Sequence, residues 1–269
     1  MTSPEDLLEL AVATAREAAR MLVAERPAAG PDVVQTKSSP TDVVTALDRA
    51  AEKLIVERIA EARPDDAFLG EEGGETGGGS GVRWVIDPID GTVNFLYDLP
   101  DWAVSIGVED GGVPVAGAIV IPRRGEVYTA SRGGGAYLEA AGVRRRLRVN
   151  ENVPLARALV ATGFGYASGR RAHQAEVLRG VVPNVRDIRR GGSACVDLCA
   201  VAAGRVDAYY ERGTQAWDVA AGALIVAEAG GRVEGLDGAP MSPEFTIAAG
   251  PGTFEALHAL LAPLDPAHD

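Results

Sequence analysis

The stretch VRWVIDPIDGTVNF, residues 82–95, joins a strand pattern to two acidic residues and a turn. Its first half has the apolar run of a buried strand, and Pro88 is expected to stop that strand because proline lacks the backbone N–H that a sheet uses. Asp90-Gly91 then predicts a turn. The strand would therefore deliver Asp87 to the sheet edge, with Asp90 three residues further on and able to face the same point.

A helix is expected to begin near Thr92, directly after this turn. Gly91 would let the backbone approach a ligand closely, and the free N–H groups at a helix start attract an anion. The segment from Asp87 to Thr92 can thus supply carboxylates for hard cations and backbone donors for a phosphate. For this motif alone, a solvated turn with a helix cap stays open as an alternative.

Three further acidic features lie outward from this segment, each at a predicted strand end or helix start. They are Glu71-Glu72 in LGEEGG, Asp218 in AWDVAAG, and Asp48 near the start of a helix. Taken singly, they are open to interpretation as a surface loop, a helix N-cap and an exposed helix residue. Their joint occurrence favours a site for Mg²⁺, which prefers oxygen ligands, and two such ions can stabilise an in-line displacement at phosphorus.

The patterns around these motifs predict α and antiparallel β structure first, then alternating α and β. Ser3 is predicted to cap a first helix, and a second helix is expected from about Thr45 to Ala62. The glycine-rich stretch at 73–81 is expected to be a flexible loop. Strands are predicted at AFLG, WAVSIGVED, VPVAGAIVIP, EVYTASR, LVATGF, VRDIRR, VDAYYE and FTIAAG, and later helices near 171–182, 194–203, 217–229 and 252–262.

The composition and charge of the chain limit the kinds of protein that it can be. The 269 residues are 46% hydrophobic and carry a formal net charge of -12. That charge disfavours nucleic-acid binding, and bound divalent cations would reconcile it with a phosphate substrate. No apolar run reaches the ~20 residues of a membrane span, and the acidic N-terminus does not resemble a secretory signal, so a cytoplasmic protein is expected.

The chain is expected to form one continuous catalytic unit with two halves. Residues 1–155 would form an α+β half with the DPIDGT motif, and residues 156–269 an α/β half with the WDVAAG motif. Cys195 and Cys199 lie four residues apart in a predicted helix, where disulfide geometry is difficult, so both are expected to be reduced core residues. None of the three histidines lies in a motif.

Five motifs together resemble the inositol monophosphatase family across almost the whole chain. They are KSSPTDVVTALD from Lys37, LGEE from Leu69, WVIDPIDGTVNF from Trp84, GSA from Gly192 and WDVAAG from Trp217. The resemblance implies an α/β fold, a layered αβαβα sandwich of the inositol monophosphatase and sugar phosphatase type. It also implies a homodimer, two or three Mg²⁺ ions per active site, and inhibition by lithium.

The resemblance also implies roles for individual residues. Glu71, Asp87 and the carbonyl of Ile89 would hold one metal ion, and Asp87, Asp90 and Asp218 a second, while Glu71 would help to place a third. Thr92, bonded to Asp48, would act with Glu71 in catalysis. The substrate contacts would be Asp90, Gly91, Thr92, Gly192, Ser193, Ala194 and Glu211.

The implied reaction is hydrolysis of inositol monophosphate to inositol and phosphate by metal-activated water. Fructose-1,6-bisphosphate, histidinol phosphate and NADP stay open as alternative substrates, and Arg189 and Arg190 could bind a second phosphate or be structural. A non-enzymatic protein-binding role is a further alternative. Lys37 could balance the acidic cluster or lie at the surface.

Overall fold

The computed structural model describes residues 3–27, 33–36 and 43–268, so the prediction for Lys37 lies outside the described residues. The helices in this part of the chain are α1 (Pro4–Glu25), α2 (Ala46–Ala62), α3 (Thr92–Leu96), α4 (Ser168–Val181), α5 (Ala194–Ala202), α6 (Ala216–Glu228) and α7 (Pro251–Leu261).

Fifteen strands lie between these helices in the described residues. They are β1 (Val33–Thr36), β2 (Val43–Thr45), β3 (Ala67–Gly70), β4 (Gly74–Thr76), β5 (Val82–Asp90), β6 (Ala103–Asp110), β7 (Val113–Ile121), β8 (Glu126–Ser131), β9 (Gly135–Ala140), β10 (Val143–Arg146), β11 (Leu159–Thr162), β12 (Asp187–Arg189), β13 (Ala208–Glu211), β14 (Arg232–Glu234) and β15 (Thr246–Ala249).

The first two helices begin where the sequence predicts. Ser3 Oγ accepts a hydrogen bond from Asp6 N at 3.1 Å, while the Asp6 carboxylate accepts from Ser3 N. Such a reciprocal pair satisfies two N–H groups that a helix start would otherwise leave unbonded. Thr45 and Asp48 form the same arrangement at the start of α2. Both helices bury an apolar stripe against the sheet beneath them.

The strands form two large sheets and a separate β1–β2 pair. The first sheet has the order β10-β9-β8-β7-β6-β5-β3-β4, and the second has the order β12-β11-β13-β15-β14. The first sheet is antiparallel except where β3 runs parallel to β5. In the second sheet β11 is parallel to both β12 and β13, while β13, β15 and β14 pair antiparallel.

The elements stack in five layers. α1 and α2 cover one face of the first sheet, and α6 covers the other. α5 packs on α6 and reaches β13 and β15, so these two helices fill the space between the sheets. α7, with α4 beside it, lies on the far side of the second sheet. This is the expected αβαβα sandwich, and it places the ends of β5, α5 and α6 near one another.

Two local predictions were wrong. Pro88 does not stop the strand: β5 continues to Asp90, with a register shift against β6 between Asp87 and Asp90 that accommodates the missing N–H. The glycine-rich stretch is not all loop, because Gly74–Thr76 pairs with β3 as β4. Its remainder is held in place, since Gly79 N donates to Asp65 O at 2.8 Å.

Other local expectations have clear outcomes. The predicted strands WAVSIGVED and VPVAGAIVIP pair as β6 and β7, and Gly111 and Gly112 between them both have positive φ. Cys195 and Cys199 are buried free thiols, as expected. β1, β2, β9, β10 and β14 were not predicted. The division at residue 155 stays a prediction. None of the helices in the described part of the chain has the length and apolar character that crossing a bilayer requires.

Candidate active site

A pocket of about 480 Å³ opens where β5, α3, α5 and α6 meet. It brings together nearly all residues that the sequence singled out, although they are spread over almost 150 positions. Its lining includes Glu71, Asp87, Ile89, Asp90, Gly91, Thr92, Gly192, Ser193, Ala194, Glu211 and Asp218. Asp48 is not a lining residue and reaches the pocket through Thr92.

The Thr92 hydroxyl lies at the start of α3, between two acceptors. Its Oγ1 is 3.2 Å from Asp48 Oδ1 and 3.1 Å from the carbonyl oxygen of Ile89. Asp48 is 1% exposed, and its Oδ2 accepts from both the N–H and the hydroxyl of Thr45. The Asp48 carboxylate is therefore fixed behind the pocket wall and faces Thr92 with its other oxygen.

The end of β5 sets the positions of Asp87 and Asp90. Asp87 is buried, and its Oδ1 accepts from Ile89 N at 3.0 Å, which turns the chain at the irregular pairing with β6. Gly91 follows with a φ of 92°, where glycine is favoured. A Cβ at Gly91 would lie 3.0 Å from the carbonyl oxygen of Asp101. The backbone is thus free to approach a ligand from this turn.

Asp90 ties the end of β5 to the start of α5. Its Oδ2 accepts from Ser193 Oγ and from Cys195 N, both at 2.6 Å. Cys195 Sγ donates in turn to the carbonyl oxygen of Asp218 at 3.2 Å, which links α5 to α6. Sequence reasoning placed Ser193 here but missed Cys195, because a backbone N–H leaves no signal in residue type.

Asp218 lies in the first turn of α6, where its Oδ2 accepts from Gln215 N at 2.7 Å. The alternative interpretation of Asp218 as the helix N-cap was wrong: Gln215 is the N-cap of α6, and Asp218 is the third helical residue, whose side chain completes the capping box. The same carboxylate also lines the pocket, so capping and a role in the pocket coexist.

Glu71 is positioned by a residue that sequence reasoning did not single out. Glu52, on α2, is 6% exposed and accepts from Glu72 N at 2.9 Å and from Gly73 N at 2.6 Å. These bonds hold the turn that carries Glu71. The sequence did offer one signal for Glu52: it lies four residues after Asp48, so both carboxylates lie on the same face of the helix.

The pKa values of Asp87, Asp90 and Asp218 are all raised. Burial raises the pKa of Asp87 well above its ordinary value, and the charges of Glu71, Asp90 and Asp218 raise it further. Burial and the Asp90 charge likewise raise the pKa of Asp218. Burial also raises the pKa of Asp90, against the bonds from Ser193 and Cys195. Such a cluster of like charges calls for a cation.

The donor set fits a hard divalent ion in its chemistry, because it consists of carboxylate oxygens and one backbone carbonyl. In their present conformation, however, no three acidic, histidine or cysteine side chains within the described residues stand in metal-binding geometry. One oxygen of each of Asp87, Asp90 and Asp218 is already bonded to the protein. Binding an ion would therefore require the other oxygens to turn inward.

The pocket lining also includes Glu211 and Arg190. Tyr209 donates its hydroxyl hydrogen to Glu211 Oε2 at 2.8 Å. Burial raises the pKa of Glu211 to about 7, against the lowering effects of Tyr209 and Arg190. Arg189, by contrast, is exposed and pairs with Asp187 at 2.7 Å. Of the two arginines that could bind a second phosphate, only Arg190 lines the pocket.

Comparisons with known proteins agree with this fold. The model of the inositol monophosphatase family matches residues 3–265. An inositol-1-monophosphatase of Mycobacterium bovis is 50% identical over 240 residues, which are 86% of this chain and 82% of the relative. The solved structure of Mycobacterium tuberculosis SuhB superposes with a TM-score of 0.85 at 45% identity, and 100% of each chain is covered.

These matches define the chain as a phosphoric monoester hydrolase. More specifically, it belongs to the inositol monophosphatase family, whose members are generally metal-dependent. A third relative carries a different name: the Nus factor SuhB of Pasteurella multocida is 41% identical over 234 residues, 86% of both chains.

Proposed function

We propose that this protein is a Mg²⁺-dependent phosphomonoesterase that hydrolyses inositol monophosphate to inositol and phosphate. The observation that carries the proposal is the convergence of Glu71, Asp87, Asp90 and Asp218 beside the backbone turn at Gly91. Phosphoryl transfer requires mainly positioning and charge neutralisation, and this pocket has groups suited to both.

The metal-holding groups would be divided between two principal ions. Glu71, Asp87 and the Ile89 carbonyl would hold the first, and Asp87, Asp90 and Asp218 the second, with Glu71 also helping to place a third. Bound Mg²⁺ would lower the pKa of a coordinated water and neutralise charge on the phosphate. The bonds from Ser193 and Cys195 would keep Asp90 oriented when it is loaded.

Thr92 and Asp48 would orient the attacking water. Thr92 Oγ1 would accept a hydrogen bond from the water while its own proton points to Asp48 Oδ1. Burial raises the pKa of Asp48, so its carboxylate has an enhanced affinity for that proton. Glu71 would act in the same step.

The remaining contacts would bind the substrate. The backbone N–H groups of Gly91 and Thr92 would donate to the phosphate, and Asp90 and Glu211 would accept from hydroxyls of the polyol. Gly192, Ser193 and Ala194 would complete this surface at the start of α5. α3 is only five residues long, so its dipole adds little to these local donors.

We also propose that the protein is a cytoplasmic, lithium-sensitive homodimer. Tyr97 is 76% exposed and Leu99 is 49% exposed, side by side after α3, and they support an apolar contact with a second copy. Sedimentation of the wild type and of a Tyr97→Ser, Leu99→Ser variant would test the dimer.

The deciding experiment measures phosphate release from a substrate panel with Mg²⁺, with EDTA, and with Mg²⁺ restored. The panel contains inositol 1-phosphate, fructose-1,6-bisphosphate, histidinol phosphate and NADP. The highest kcat/KM is expected for inositol 1-phosphate. Phosphate release should stop in EDTA and return when Mg²⁺ is added. A preference for the bisphosphate would indicate that Arg190 binds a second phosphate. Full activity in EDTA would overturn the metal assignment.

A protein-binding role is supported by one observation, the similarity to a Nus factor. A pull-down from lysate with wild type and Asp87→Asn would test it. Partner capture by a chain without phosphatase activity would favour binding over catalysis.

A further inference from the structure

Asp197 is a pocket residue that the assigned roles leave unused. It lies in the first turn of α5 and is 6% exposed, yet it lines the pocket. The structure records no hydrogen bond or ion pair for its carboxyl within the described residues. Its carboxyl oxygens are nevertheless not fully buried, because they are absent from the set of fully buried side-chain atoms that lack a hydrogen-bond partner. They therefore open into the pocket.

The neighbours of Asp197 place it between the two parts of the site. A Cβ at Gly191 would lie 2.9 Å from its Oδ1, so the carboxyl sits against the loop that precedes Ser193. Glu211 on β13 and Asp90 at the end of β5 both act on it electrostatically, as does Arg190. A substrate phosphorylated near Asp90 and reaching towards Glu211 would pass this carboxyl.

A purely structural role for Asp197, as a residue that stabilises α5, explains this arrangement less well than a role in the pocket. A charged aspartate in the first turn would stabilise the dipole of α5. However, burial raises the pKa of Asp197 to about 8, so the group is largely neutral at pH 7. A neutral carboxyl contributes little to the dipole, but it can both donate and accept a hydrogen bond.

We propose that Asp197 is a further hydroxyl-recognition residue, which acts beside the polyol contact already assigned to Glu211 and selects a polyol as the leaving group. This inference rests on the proposed phosphatase function and specifies its substrate class. A buried carboxyl that opens to the pocket is satisfied by a substrate hydroxyl and left unpaired by a substrate without one. Sites of this kind discriminate strongly against analogues that lack the hydroxyl.

The test compares two substrates in four proteins. The substrates are inositol 1-phosphate and p-nitrophenyl phosphate, which has no hydroxyl groups. The proteins are wild type, Asp197→Ala, Asp197→Asn and the control Asp187→Asn, which alters an exposed aspartate outside the pocket. We expect Asp197→Ala to raise KM for inositol 1-phosphate about tenfold, with kcat and the p-nitrophenyl phosphate kinetics changed less than about twofold.

Asp197→Asn keeps a donor and an acceptor, so it should recover KM to within about threefold of wild type. The control should match wild type on both substrates, and the inhibition constant of inorganic phosphate should stay constant in all four proteins. Equal losses on both substrates, or no loss in Asp197→Ala with an unchanged unfolding midpoint, would overturn this role of Asp197. If wild type hydrolyses neither substrate with Mg²⁺, the proposed function fails and the role of Asp197 fails with it.

Discussion

The hydroxyl oxygen of Thr92 lies 3.2 Å from Oδ1 of Asp48, a residue 44 positions earlier on α2. This contact joins a lining residue to a carboxylate that does not reach the pocket itself. The geometry suits a relay in which the hydroxyl orients a water and the carboxylate accepts the proton.

Thr92→Val removes this hydroxyl but keeps the shape of the side chain. We expect kcat to fall by about 10²–10⁴-fold, the usual contribution of general acid–base catalysis, with a small change in KM. Steady-state kinetics at saturating Mg²⁺ will measure this. Thr92→Ser retains the hydroxyl and should stay within about tenfold of wild type; equal losses in both variants would contradict the relay.

Asp90→Asn removes one negative charge from the cluster but keeps an oxygen that can accept from Cys195 N. We expect turnover to fall by roughly 10³-fold and the Mg²⁺ requirement to rise, since metal stabilisation amounts to several kcal/mol. Phosphate release over a range of Mg²⁺ concentrations measures both. Asp98→Asn is the matched control, because Asp98 pairs with Arg26 and Arg123 outside the pocket and has a φ that asparagine tolerates. Similar behaviour of the two variants would refute the charge argument.

Gly91→Ala tests the close approach of the backbone at the pocket. Its positive φ and the carbonyl of Asp101 at 3.0 Å both oppose a Cβ. Gly111→Ala also has positive φ, but an added Cβ there meets no described atom within 4 Å. We expect Gly111→Ala to cost about 1 kcal/mol and Gly91→Ala at least about 1 kcal/mol more, together with a loss of turnover. Urea unfolding of both variants measures the difference, and equal costs would show that the close approach does not matter.

Asp197→Asn should flatten the dependence of stability on pH in EDTA. Burial raises the pKa of Asp197 to about 8, above its ordinary value of 3.8, so the folded state keeps a proton that the unfolded state loses. Its contribution is complete below pH 3.8 and is lost progressively as pH rises to about 8. We expect the variant to gain roughly 1–4 kcal/mol relative to wild type between pH 5 and 8. Parallel stability curves would argue against a buried neutral carboxyl.

Glu52→Gln weakens the bonds to Glu72 N and Gly73 N that hold the Glu71 turn. Groups that orient metal ligands typically contribute 10–100-fold to metal affinity, so we expect the Mg²⁺ concentration for half-maximal activity to rise by about that factor. Glu57→Gln on the exposed side of α2 is the control and should leave this concentration unchanged. An unchanged Mg²⁺ requirement in Glu52→Gln would show that the Glu71 turn keeps its conformation without the Glu52 carboxylate.

The contiguous part of the site could be predicted from the sequence because its residue types carry the signal. Asp87, Asp90, Gly91 and Thr92 combine carboxylates, a permissive turn and a helix start within six positions. The fold class followed from the alternation of strand and helix patterns, supported by the resemblance to a family.

Contacts that depend on tertiary structure could not be predicted in this way. Cys195 acts on Asp90 through its backbone N–H, and Glu52 resembles any other glutamate on a helix until its partners are known. The continuation of β5 past Pro88 depends on how β6 accommodates the bulge, which is a property of the pair. β10 is a short edge strand with four exposed residues, so it lacked the alternation that reveals a strand.

Asp48 and Glu52 lie four residues apart on α2, so about 6 Å of helix carries the partners of both Thr92 and the Glu71 turn. Asp48 is bonded to the Thr92 hydroxyl proposed to orient the water, and Glu52 is bonded to the turn that carries Glu71, a proposed metal ligand. The positions of Thr92 and Glu71 therefore both depend on the same short segment of α2. If the start of α2 frays on warming, both would be released together, and catalysis should disappear abruptly at a temperature below global melting.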